Sequence, residues 1–123
     1  MTQVTTTPHP HYLLVEISGA IRTVKDVVEY TAVFRPEAER LGVRRVLLDY
    51  VQSTFGLDYH DLREVAEIGV RREFPGLGLR IAVVCRPEEL DLHRQFETIA
   101  VNRSIIYRVF TDTNEALAWL LAL

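Results

Sequence analysis

The spacing of apolar residues changes several times along the chain, and each change marks an element. From His11 to Ser18, Leu13, Val15 and Ile17 alternate with Leu14, Glu16 and Ser18, the period-two pattern of a strand that Gly19 is expected to end. The Thr-rich stretch ahead of it reads as either a loose segment to about residue 10 or a short edge strand. Thr23 is a good N-cap with acidic Asp26 three residues on, and Val24, Val27, Val28, Thr31, Phe34, Ala38 and Leu41 then recur at helical spacing. Pro36 interrupts that run, which predicts one kinked helix or two abutting ones, closed by Gly42.

Arg45 to Val51 is a near-continuous apolar run, as a central strand covered on both faces requires. A loop is expected from Gln52 to Leu57. Asp58 then caps a second helix with Asp61 in its first turn and Leu62, Val65, Ala66 and Ile68 facing inward. Phe74-Pro75-Gly76-Leu77-Gly78 is a turn cluster, and Leu79 to Cys85 a second central strand. Pro87 suits the first position of a third helix carrying Leu90, Phe96, Ile99 and Ala100 on one face. Ile105 to Phe110 is the last strand. Asp112 caps a final helix, with Glu115 completing a capping box and Ala116, Leu117, Trp119, Leu120 and Leu123 packing inward. Strands that alternate with helices pair in parallel through right-handed crossovers, so the fold class is α/β.

Composition narrows the function classes. A chain of 123 residues with 48% hydrophobic and 25% charged residues is the size and make-up of a single globular domain, here 1–123. A formal net charge of -3, with arginines dispersed among acidic residues, gives no basic stripe, so no nucleic-acid partner is expected. The longest apolar runs fall far short of the ~20 residues of a membrane helix, so no membrane insertion is expected. The N-terminal residues carry no basic region and no apolar stretch, and Cys85 is the only cysteine, so a reducing, cytoplasmic setting is expected.

Familiar catalytic signatures are missing. There is no P-loop, and the one Gly-x-Gly, Gly76-Leu77-Gly78, precedes a strand instead of following one. Asp49 near the end of a central strand could accept a phosphoryl group, but the first strand ends in Ser18-Gly19 without the acidic pair that would hold Mg²⁺. His9, His11, His60 and His93 lack metal-ligand spacing and read as structural or solvated, so no metal and no cofactor are expected. Cys85 ends an apolar strand and reads as a buried, inert thiol. No Gly-x-Ser-x-Gly elbow is present. An enzyme would need Asp49, Ser53, Cys85 and His60 to converge at the strand ends, and no activity is expected.

Val46-Leu-Leu-Asp49, followed by Gln52-Ser-Thr-Phe-Gly-Leu-Asp58, resembles the STAS fold of the anti-sigma-factor antagonists, and more closely the small SpoIIAA-like proteins, which are related to the lipid-binding domain of CRAL-TRIO proteins. The first strand and its helix, and the closing Val109-Phe110-Thr111-Asp112 with Glu115 to Leu120, carry the same resemblance, which spans about Tyr12 to Leu121. It implies a four- to five-stranded mixed, largely parallel sheet with about four helices packed against it, and no catalysis. In the antagonists a serine at the start of the helix after the Leu-Asp strand is phosphorylated. Here Asp58 and Tyr59 stand in that region and the nearest hydroxyls are Ser53 and Thr54.

Two readings of function follow. One is a regulatory or protein-interaction module that binds a protein partner or a second copy of itself through Asp49, Ser53, Thr54, Phe55, Asp58 and Tyr59. Phe55 and Tyr59 are then either aromatic anchors or core residues. The other is a carrier or sensor of a small apolar, lipid-like ligand in a cavity under the second helix, with Val70, Phe74, Leu77 and Leu79 as lining. A pocket of roughly 300 Å³ or more would suit that role.

Overall fold

The computed structural model describes residues 2–122. Five strands form one sheet in the order β1-β2-β3-β4-β5, which is also their order along the chain. They are β1 (Gln3–Pro8), β2 (Leu13–Ile21), β3 (Arg45–Phe55), β4 (Arg80–Val84) and β5 (Ile106–Phe110). The Thr-rich stretch is thus an edge strand. β1 runs antiparallel to β2, and every other neighbouring pair is parallel. The helices are α1 (Val24–Leu41), α2 (Tyr59–Arg71), α3 (Leu90–Val101) and α4 (Thr113–Leu120). Leu123, expected to pack inward, lies outside the described residues.

Period-two alternation sends each strand's side chains into two cores. Leu13, Val15, Ile17, Val46, Leu48, Tyr50, Ile81, Val83, Tyr107 and Val109 form the larger one, under Val27, Tyr30, Phe34 and Ala38 of α1, Leu62 and Ala66 of α2, and Ile99 and Ala100 of α3. Leu47, Ala82 and Val84 face the other way and meet Ala116 and Leu120 of α4. Arg80 fastens α4 to this second face. Its guanidinium lies 4.0 Å from the centre of the Trp119 ring, and Nη2 donates to the Trp119 carbonyl at 2.6 Å.

The helix starts follow the local rules. Thr23 and Asp58 each close a full capping box, with Asp26 and Asp61 respectively returning the bond. Asp112 accepts from the Glu115 N–H, while the return bond expected from Glu115 is not formed. Gly42 ends α1 with φ 67, the left-handed conformation only glycine adopts without strain, and its N–H reaches back to the carbonyls of Ala38 and Glu39.

Of the two alternatives at Pro36, the single helix stands: Pro36 neither splits α1 nor ends it. It is exposed, and the carbonyl it leaves without a donor is that of exposed Ala32, where water can serve. Gly19 does not end β2. It takes φ 89 and the strand runs on to Ile21. Most consequentially, Gln52 to Phe55 is not loop but the second half of an eleven-residue β3. The third helix also starts later than expected, because Pro87–Glu89 forms a separate 3-10 turn before α3.

α2 buries few side chains, chiefly Leu62 and Ala66. Leu62 is fully enclosed, so Leu62→Ala should lower the free energy of unfolding by about 2–5 kcal/mol. Urea denaturation should show an earlier midpoint with an unchanged slope.

Candidate functional site

The long β3 positions most of the predicted site. Its pairing with β2 slips between Glu16↔Asp49 and Ser18↔Gln52, so β3 carries one extra residue there, a β-bulge. A bulge frees an amide from the ladder, and the Asp49 carboxylate takes one, accepting from the Val51 N–H at 2.9 Å. Ser53 Oγ donates to the Tyr50 carbonyl at 2.8 Å. The bulge also shifts the alternation, so that Ser53 and Phe55 point inward beyond it.

β3 then overruns β4, which ends at Val84. Two side chains of the 3-10 turn and its approach replace the missing strand. Glu89 Oε2 accepts from the Phe55 N–H at 2.8 Å, and Arg86 Nη2 donates to the Ser53 carbonyl at 3.0 Å. Arg86 and Glu89 are themselves 3.3 Å apart. Neither residue was legible as part of the site, since only the overrun gives them this task.

The six candidate residues therefore divide. Ser53 is 2% exposed and Phe55 7% exposed, and Asp49 is committed to the bulge. Thr54, Asp58 and Tyr59 face solvent, Tyr59 being 57% exposed. Ligand atoms of Asp58, His60 and Asp61 lie within 4.8 Å of one another, but Asp58 and Asp61 spend their carboxylates on the α2 capping box. Among the described residues no hydrogen bond joins any two of Asp49, Ser53, Cys85 and His60. Burial pushes the Cys85 thiol up to about 11.

Beside Phe55 lies a buried polar cluster. The His93 ring centre is 4.6 Å from that of Tyr50 and 4.5 Å from that of Phe55. His93 is 1% exposed, and its Nε2 has no hydrogen-bond partner among the described residues. Burial lowers its pKa from 6.5 to about 4, so the imidazole is neutral in the fold. The Tyr50 and Tyr30 hydroxyls are 2.6 Å apart. Burial raises the pKa of Tyr30, Tyr50 and Tyr107.

These tyrosines border a cavity of about 130 Å³ between α1, α2 and the sheet. Val27, Phe34, Leu48, Val65, Ile81 and Phe96 supply much of its apolar wall, and Arg35 and Arg72 stand at its rim. Arg35 Nη1 donates to the Arg72 carbonyl at 2.8 Å, tying α1 to the end of α2. Of the lining residues expected from sequence, Phe74 borders this cavity. Val70 is exposed, and Leu77 and Leu79 line a separate groove beside Arg44. No helix among the described residues is long and apolar enough to cross a membrane.

No family model matches the sequence, and no curated protein matches it. Among solved structures, the chain is similar to an uncharacterised protein of the DUF3478 family with a SpoIIAA-like fold from Shewanella loihica PV-4. The two share 18% identity with a TM-score of 0.57, over 97% of this chain and 93% of that one. The likeness is one of fold, and the chain has the α/β fold expected from its strand and capping pattern and the SpoIIAA-like arrangement that the resemblance implies.

The buried imidazole makes stability pH-dependent. The unfolded chain binds a proton at His93 near pH 6.5 and the folded chain only near pH 4, so the neutral form's contribution is whole above 6.5 and is lost as pH falls toward 4. The full loss at this group is about 3 kcal/mol. Denaturation midpoints across that window should show His93→Leu with a shallower decline toward acid than the parent.

Proposed function

We propose that this chain is a non-enzymatic binding module whose α1–α2 cavity takes a small apolar ligand, as a sensor or carrier. The observation that carries this reading is the cavity itself. The cavity opens to the surface between α1 and α2, and its aromatic and branched walls lack side-chain contacts on that side. A guest supplies them. Cavities near 150 Å³ hold benzene-sized molecules, so a volume of about 130 Å³ suits a compact ligand and is too small for a lipid chain. The rim is lightly held: α2 buries few side chains, and the Arg35–Arg72 bond beside it lies on the surface. The lone, buried Cys85 suits a reducing compartment such as the cytoplasm.

A second reading, an interaction module for a protein partner or a second copy, has the exposed Tyr59 in its favour, beside Thr54 and Asp58 at the start of α2. Ser53 and Phe55 lend it nothing, since both are enclosed.

Gly69 separates the readings. It borders the cavity, and a Cβ there meets only the Phe74 Cβ at 3.8 Å, an ordinary contact. Gly69→Ala should stabilise α2 by about 1 kcal/mol. Gly69→Leu should keep the fold but fill the cavity mouth. In amide NMR titrations with benzene, the parent should show saturable shifts around α1 and α2 that Gly69→Leu abolishes. Shifts absent from the parent, or unchanged in Gly69→Leu, would remove the cavity reading. Association lost on Tyr59→Ala, seen by native mass spectrometry, would favour the second.

A further inference from the structure

The cavity is apolar but not featureless. Tyr30, Tyr50 and Tyr107 all border it, from α1, β3 and β5 respectively, and all three side chains are buried, at 4%, 3% and 7% exposure. Each hydroxyl carries one hydrogen. Among the described residues, one hydrogen bond occupies these hydroxyls, that between Tyr30 and Tyr50. It uses a single hydrogen whichever oxygen donates. The other hydroxyl of the pair keeps its hydrogen, and so does Tyr107. Two O–H hydrogens at the site thus have no acceptor among the described residues.

We propose that the occupant is a small neutral carbonyl compound, of about six to nine non-hydrogen atoms, whose oxygen accepts from these tyrosine hydroxyls. The proposal rests on the reading of the cavity as a ligand site and names the class of ligand. A carbonyl oxygen offers two lone pairs and brings no hydrogen, which matches the two O–H hydrogens that have no acceptor. A pure hydrocarbon of the same shape accepts neither hydrogen. A carboxylate fits worse, because an anion in this apolar space needs a paired cation. Of the two arginines at the rim, Arg35 gives Nη1 to the Arg72 carbonyl and Nε to Glu39 at 3.4 Å, and Arg72 is exposed at the surface. The same desolvation that keeps the tyrosines protonated opposes a buried anion.

Cyclohexanone and methylenecyclohexane test this, since they share a shape and differ in C=O against C=CH₂. Hydrophobicity favours the hydrocarbon, so the readout is the change each shows between variants. Amide NMR titrations should give Tyr107→Phe and Tyr30→Phe roughly three- to tenfold weaker affinity for cyclohexanone, with methylenecyclohexane bound as well as before or better. Infrared spectra of cyclohexanone in the parent protein should show a C=O stretch lowered by hydrogen bonding, and the shift should shrink in Tyr107→Phe. That spectrum needs no variant of Tyr30, should its loss disturb the fold. Both probes binding with equal changes in the variants and an unshifted C=O stretch would overturn the carbonyl assignment and leave the cavity as a ligand site. Neither probe binding the parent would overturn both.

Discussion

Strand order governs this molecule. β2, β3, β4 and β5 lie side by side in the order they are made, all parallel. A right-handed crossover that always steps in one direction lays its helix on one face, so α1, α2 and α3 crowd the same side of the sheet. The other side receives only α4, eight residues long, which is why its core is the smaller. The central strands still have to be buried on both sides: Val46, Leu47 and Leu48 are all at most 3% exposed. The large face must then fit three helices of different length over four strands, and the mismatch appears where α1 and α2 part above Leu48 and Ile81.

The second consequence falls on β3. It is longer than β4, and an overrunning strand would leave its backbone unpaired on one side. Side chains supply what the neighbour lacks, Glu89 to an N–H and Arg86 to a carbonyl, with the pair's own charge contact holding both in place. The bulge that precedes this stretch is secured from within the strand by Asp49 and Ser53. Polar residues at the carboxyl end of a parallel strand invite a functional reading. Here much of that polarity is consumed in making an irregular strand possible.

What could be read from the sequence divides along the same line. Caps, apolar periods and turn residues are local, and Thr23, Asp58 and Gly42 act as their neighbours in sequence suggest. The α/β order followed from those alone. The extension of β3 was not legible, because Gln52-Ser53-Thr54 is polar and lacks alternation, and what makes it strand is its pairing with Ser18 to Ile21. That partner stretch was itself obscured by Gly19. Of the site, Asp58 and Tyr59 were placed correctly at the start of α2, while the enclosure of Ser53 and Phe55 depended on the bulge. The cavity had no sequence signature. Tyr30 and Tyr50 are 20 residues apart and Tyr107 is on another strand, and only tertiary packing brings them to one space.

That space breaks the rules the rest of the chain obeys. Nearly every other large buried side chain is apolar, and phenylalanine at positions 30, 50 and 107 would bury the same ring without a hydroxyl to satisfy. Leucine at position 93 would remove an unpaired nitrogen and an acid sensitivity. Stability alone does not select a tyrosine trio beside a cavity, since a phenylalanine trio would serve packing as well. On the proposed reading, one guest with an apolar body and an accepting oxygen meets the walls and the hydroxyls in the same event. Local inconsistency in an otherwise consistent sequence is where function is expected.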